Sequence, residues 1–344
     1  MQEAFNTLEF KNDELLLIDQ RLLPVKFEIF VAKDYKDIEF AIRDMVVRGA
    51  PAIGASAAYG VYFALKEFIS DEEKFLNACK FIENARPTAI NLKWAIDRML
   101  TVYQKNKESK NLLNIIKDEA ILIQEEDITT NKAIGENGLS VIPQNANILT
   151  HCNAGALATA GWGTAVGVIK SAFYANKNIF VYADETRPRL QGARLTAWEL
   201  TQAKIPSKLI TDSTAATLIR DGKIDLVVLG ADRIALNGDV CNKIGSFGLS
   251  VICKAYGVPF YSAAPLSTID FTIETGAEIP IEERDKKEII FVGDTQIAPL
   301  EMDVYNPAFD VTPHQNVTAI ITEKGVIYPP FKENILKLKE KYIK

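Results

Sequence analysis

After the segment ENGLSVIPQNAN, short apolar runs alternate with helical stretches, and this alternation restricts the fold more than any other feature of the chain. The runs are NILT, NIFVYA, KLIT, IDLVVLGA, VPFYSAA and EIIFVG; the stretches between them include ARLTAWELTQA, AATLIRDG and KIGSFGLSVICKAYG. Strands that alternate with helices in this way form a parallel sheet covered by helices on its faces. The expected class is therefore α/β, with a Rossmann-like parallel-sheet domain at the C-terminal end.

The first third of the chain reads differently. LEF, ELLLID and VKFEIF have the length and composition of short strands. From about Asp37 to Ile134 the apolar residues recur at three-to-four spacing, as in IEFAIRDMVV, ASAAYGVYFALKEFI, LNACKFIENA and LKWAIDRMLTVYQK, which predicts helices. A chain of 344 residues accommodates two domains. We place them at 1–139, small-stranded then mainly helical, and 140–344, Rossmann-like.

Composition narrows the function. With 39 basic and 45 acidic residues, the net charge is −6, which lacks the basic footprint of a nucleic-acid binder. MQEAFNTLEF has no charged start followed by an apolar run, so no signal peptide is expected. Ala50 to Leu65 is the most apolar stretch, but it is too short and too rich in Gly, Pro and Ser to span a membrane. Cys79, Cys152, Cys241 and Cys253 have no paired spacing and read as free thiols of a reducing cytoplasm. With only His151 and His314 and no CxxC, a metal site is not expected.

Ligands of open parallel sheets bind beyond the carboxyl ends of the strands. There the sequence places His151, Cys152 and Asn153 after NILT; Asp184, Glu185, Thr186 and Arg187 after NIFVYA; Asp212 after KLIT; and Asp232 and Arg233 after VVLGA. Cys152 and Asp232 thus share one rim, although a lone Cys is commonly a buried hydrophobe and an Asp commonly caps the next helix. In an extended strand His151 would face away from Cys152, which favours a structural role for it.

Other motifs are weaker. GWGTAVG is one residue off a dinucleotide fingerprint and sits within a predicted helix opened by CNAGALATAG, so close packing through small residues is the plainer reading. RGAPAIGAS lacks the Lys of a phosphate-binding loop, yet Arg48 beside Gly49 and Ala50 suits either an anion contact or an ion pair. Arg86 precedes a helix-breaking Pro, and His314 reads as a polar loop residue or a site residue.

Taken together, MVVRGAPAIGASAAYG, ARPTAINLKWA, THCNAGALATAGWGTA, YADETRPRLQGARLTAWEL, GADRIALNGDVCNKIG, PFYSAAPLSTID, IPIEERD and NPAFDVTPHQNVTAIITEKG resemble the methylthioribose-1-phosphate isomerase family. That family belongs to a wider group with ribose-1,5-bisphosphate isomerases and the regulatory subunits of a translation initiation exchange factor. The resemblance implies aldose–ketose isomerisation in methionine salvage, no cofactor and a homodimer. It implies Cys152 and Asp232 as catalytic residues, and Arg48, Gly49, Ala50, Arg86, Gln191, Asn242 and Lys243 as substrate contacts. Neighbouring readings are an isomerase of ribose 1,5-bisphosphate or 5-deoxyribose 1-phosphate, or a non-catalytic regulatory subunit.

Overall fold

A computed structural model describes residues 5–86 and 89–342, which form two compact units. One comprises Met1–Asn131 with Gly155–Gly163, the other Lys132–Ala154 with Thr164–Lys344. The first division therefore falls upstream of the boundary expected near residue 140. The assignment of Gly155–Gly163 to the first unit was not foreseen from sequence.

The first unit opens with an antiparallel sheet of β1 (Leu8–Lys11), β2 (Glu14–Ile18) and β3 (Ile29–Ala32). Asn12 and Asp13 join β1 to β2 with φ of 53° and 64°, the two-residue left-handed turn that suits the strand twist. Helices follow: α1 (Tyr35–Arg43), α2 (Ala50–Glu67), α3 (Glu72–Glu83), α4 (Ile90–Asn106) and most of α5 (Leu112–Gly138), whose residues from Lys132 on fall in the second unit. Asp34 and Asp71 cap α1 and α3 by accepting backbone N–H groups of the first turn. Every residue of α2 from Ala52 to Leu65 is buried, so α2 is the central helix of this core. Its Gly60 lets Ile38 of α1 and Ile82 of α3 approach to where a side chain would stand.

The second unit contains, in chain order, β4 (Asn147–Thr150), α6 (Ala165–Tyr174), β5 (Phe180–Asp184), α7 (Ala197–Gln202), β6 (Ser207–Ile210), α8 (Thr214–Arg220), β7 (Leu226–Leu229), β8 (Arg233–Ala235), β9 (Val240–Lys243), α9 (Ser246–Tyr256), β10 (Phe260–Ala263) and β11 (Ile269–Asp270). Then come α10 (Lys287–Ile290), β12 (Phe291–Val292), β13 (Thr295–Gln296), β14 (Phe309–Thr312), β15 (Ala319–Thr322), β16 (Gly325–Ile327) and α11 (Phe331–Tyr342). The main sheet has the order β16-β15-β10-β7-β4-β5-β6, parallel except for β16 at one edge. Successive residues of its inner strands enter opposite cores: Ile148 one and Leu149 the other, Val228 one and Val227 the other, Ile321 one and Ile320 the other. Both faces are covered, which explains why these strands read as unbroken apolar runs. A smaller sheet, β11-β8-β9-β14, lies in the same unit.

Two expectations are corrected, and one alternative is set aside. EIIFVG forms no strand of the main sheet; it splits into α10 and β12, which pairs only with β13. Asp232 leads into strand β8 rather than capping a helix. The glycine-rich run after β4 does not open a helix directly. Gly155 and Gly163 bridge to each other, with residues 155–163 in the first unit, and α6 begins only at Ala165. At Gly163, φ is 90° and an added Cβ would lie 2.4 Å from the Gly155 carbonyl carbon, so glycine is required there by the close pairing of the two backbones.

Candidate active site

The winding of the main sheet reverses at one border. From β4 the chain proceeds outward through β5 and β6, then returns to lay β7 on the other side of β4 before continuing to β10 and β15. The crevice beyond the carboxyl ends of two such strands is where doubly wound sheets bind ligands. Beyond β4 stands Cys152 and beyond β7 stands Asp232.

Cys152 is held by its backbone. Its φ is 63°, in the left-handed region that residues with a Cβ seldom occupy. Its N–H donates to Thr186 Oγ1 at 2.8 Å, and its carbonyl accepts from Thr196 Oγ1 at 2.6 Å. Cys152 is a half-buried residue, whereas Cys79, Cys241 and Cys253 are buried and their thiols pushed up to about 12 by that burial.

His151 lies past the end of β4, so the alternation of a strand does not govern it; hydrogen bonds do. Nε2 is 2.8 Å from the Ile244 carbonyl oxygen, which can only accept, so Nε2 carries a proton. Nδ1 is 2.9 Å from Asp184 Oδ2. Burial opposes a charge on the ring, but Asp184 and the Ile244 carbonyl outweigh it and raise the His151 pKa. His151, Asp184 and Asp212 bring ligand-type atoms within 4.8 Å of one another. While its two hydrogen bonds hold, the imidazole has no nitrogen to offer a cation. Asp212 accepts the Thr186 and Arg187 amides at 2.7 and 2.8 Å. The cluster shapes the rim around Cys152.

Asn242 and Lys243 end β9, paired with Asp310 and Phe309 of β14. Asn242 Nδ2 donates to Ser246 Oγ at 2.9 Å. Lys243 is buried, donates to the Ala308 carbonyl at 2.9 Å and lies 4.4 Å from the Phe309 ring centre. Burial holds its ammonium below the usual range, while Cys152 and Asp232, both close enough to act through space, pull the other way. Asp232 donates its N–H to the Cys241 carbonyl at 2.9 Å and is exposed. Gln191 is 9% exposed, and its Oε1 is buried with no hydrogen-bond partner among the described residues.

The remaining sequence-derived positions belong to the first unit. Gly49, with φ of 89°, precedes α2, and an added Cβ would lie 2.3 Å from the Ala158 carbonyl oxygen. Arg48 stands just before it, and Ala50 opens the helix with Pro51 in its first turn. The Arg86 carbonyl accepts the Ala89 N–H at 3.0 Å. Pro87 and Thr88 lie outside the described residues.

The profile of the Initiation factor 2 subunit family matches residues 46–329. The chain belongs to that family. Within it, the chain is 62% identical over 344 residues to the methylthioribose-1-phosphate isomerase of Thermoanaerobacter sp. (strain X514), covering 98% of this chain and 100% of the relative. It is 56% identical to the methylthioribose-1-phosphate isomerase of Caldicellulosiruptor saccharolyticus, over 97% of this chain and 99% of the relative. The crystal structure of 5-methylthioribose 1-phosphate isomerase from Pyrococcus horikoshii OT3 superposes with a TM-score of 0.94 at 43% identity, covering 98% and 97% of the two chains. A structure described as translation initiation factor eIF-2B, subunit delta, from A. fulgidus gives 0.90, also at 43% identity, over 98% and 100%.

In this member of the Initiation factor 2 subunit family, three residues that support Cys152 escaped the sequence reading, Thr196, Glu199 and Lys170, whereas Asn153 and Thr186 had been placed at strand ends. A signal existed. Lys170 interrupts the apolar run AVGVIKSAF, and Glu199 sits inside AWEL, both at positions that the fold buries. A buried charge has a partner or a purpose.

Proposed function

We propose that this chain isomerises 5-methylthioribose 1-phosphate to 5-methylthioribulose 1-phosphate, in methionine salvage, as a cytoplasmic homodimer. Relatives bearing the isomerase name at 50–62% identity support this reading. So does the placement of Cys152 and Asp232 beyond the adjacent strands β4 and β7, and this is the observation that carries it. Among the described residues no helix is long and apolar enough to cross a membrane.

The substrate is a closed ring whose anomeric oxygen carries phosphate, so it does not open as a free sugar does. In the proposed route Asp232 gives a proton to the ring oxygen and the C1–O bond breaks. The Cys152 thiolate then takes the proton from C2, leaving an enol phosphate. Return of that proton to C1 and loss of the C2 hydroxyl proton give the ketone, with no net oxidation and no cofactor. A well-placed acid or base typically supplies about 10²–10⁴ in rate. Because Asp232 is exposed at rest, the substrate must itself cover the carboxyl for the acid form to persist near neutrality. By resemblance Lys243 and Asn242 contact the substrate, and a substrate hydroxyl would satisfy the buried Gln191 oxygen. By resemblance, Arg48, Gly49, Ala50 and Arg86 are further substrate contacts.

The test is turnover of 5-methylthioribose 1-phosphate followed by proton NMR, beside Cys152→Ser and Asp232→Asn. We expect ketose from the parent and a loss of about 10²-fold or more in either variant. Solvent deuterium at C1 of the product supports the proton route; full retention of a C2 label replaces it with hydride transfer. No product from folded protein would sink the substrate assignment and direct attention to 5-phosphate and 5-deoxy sugars, then to a non-catalytic regulatory subunit.

A further inference from the structure

Lys170 of α6 and Glu199 of α7 form an ion pair withdrawn from water, 3.5 Å apart with side chains 4% and 0% exposed. Burying two charges seldom adds stability over an apolar pair, so the pair calls for another reason. The hydrogen bonds that leave it supply one. A carboxylate only accepts, so Asn153 must turn its amide nitrogen, not its oxygen, toward Glu199 Oε1 at 2.9 Å. The same nitrogen reaches Thr196 Oγ1 at 3.1 Å with its second hydrogen. The Thr196 hydroxyl, now an acceptor on that side, gives its own proton to the Cys152 carbonyl at 2.6 Å. Each link fixes the direction of the next, and the last one grips the residue whose thiol stands at the rim.

We infer that the Lys170–Glu199 pair, working through Asn153 and Thr196, locks Cys152 in its left-handed conformation and thereby aims its thiol. Thr196 and Glu199 are positioning residues for Cys152 and touch no reacting atom. A backbone at φ 63° persists in a residue with a Cβ only when its surroundings over-determine it. Here Thr186 holds the amide from one side and Thr196 the carbonyl from the other. Without the Thr196 hydroxyl, Cys152 relaxes toward negative φ and the Cβ–Sγ bond swings with it.

This inference rests on the role proposed for Cys152, but its test does not depend on the substrate. In the full-length protein, iodoacetamide alkylation at Cys152 is followed by mass spectrometry; the other three thiols are buried. Rates are compared for the parent, Thr196→Val, Thr196→Ser and Glu199→Gln, together with kcat and KM. A misplacement of about 1 Å can cost 10²-fold in rate. We expect Thr196→Val to lower kcat by about 10- to 100-fold with KM within about twofold, and to change the alkylation rate at least about fivefold. Thr196→Ser should restore both, and Glu199→Gln, whose side chain can rotate its amide, should fall between. Parent-like alkylation and kcat in Thr196→Val overturns the inference. So does an equal defect in Thr196→Ser, or a Thr196→Val protein that fails to fold while the serine variant folds, since the hydroxyl would then serve the fold at large. If the parent does not turn over the sugar phosphate, the alkylation series still decides this point, and the substrate assignment falls separately.

Discussion

A methyl group added to Gly192 would stand 1.6 Å from the Asp184 carbonyl oxygen and 2.9 Å from Thr186 Oγ1. Asp184 and Thr186 are the residues that brace His151 and the Cys152 amide, so the effect would not stay local. Gly192→Ala should cost about 1–3 kcal/mol through overpacking, seen as a drop of several degrees in melting temperature. An unchanged melt would mean that the carbonyl moves aside freely. Residue identities were legible here only in part. Cys152 and Asp232 were found because each follows an apolar run, and the ends of such runs are strand ends. That Asp232 is exposed, and that Gly192 is needed for clearance rather than for an unusual φ, depends on neighbours distant in sequence.

Among the elements, α3 and α4 meet through Phe75 and Tyr103, whose ring centres are 4.7 Å apart, and Phe75 is fully buried. Phe75→Ala should destabilise the first unit by about 3–5 kcal/mol, lowering the urea midpoint. A loss well below that range would show that the core collapses around the gap. The helices of this unit could be read because their periodicity is strong, and β4, β5, β7 and β10 because both of their faces are covered. EIIFVG misled because a short apolar run does not reveal whether strands flank it; there the chain turns into α10 and a small hairpin instead. The β15–β16 hairpin was passed over although AIIT, a turn and GVI are in plain order, and β15 is an inner strand of the main sheet. The reach of Asp310 to the Gly245 and Phe247 amides at the start of α9 had no local signal, since strand pairing alone brings them together.

For the molecule as a whole, stability should carry the mark of Asp127. Burial pushes its carboxyl up to about 7, against the pull of the Ala160 amide and Asn131. The folded chain then keeps a proton that the unfolded chain has already released, between about pH 4 and 7. The stability from this group is complete below that window and lost as pH rises through about 7. Asp127→Asn should therefore flatten the fall in urea midpoint between about pH 5 and 8, and leave the variant the more stable of the two at the alkaline end. If parent and variant keep parallel profiles, Asp127 is ionised throughout.

The Ala160 amide that Asp127 holds belongs to Gly155–Gly163, and this segment also receives Thr7 at the Ala156 carbonyl and Gln20 at the Leu157 carbonyl. On the ribosome these partners arrive late. The first 131 residues emerge with Thr7, Gln20, Gly49 and Asp127 waiting for a strip of chain that follows β4, while β5 and β7, which flank β4 in the sheet, are not yet made. Synthesis therefore cannot hand over a finished N-terminal piece and then begin another. A premature stop anywhere before residue 163 leaves the first unit without part of its own core, not one sound domain with a tail.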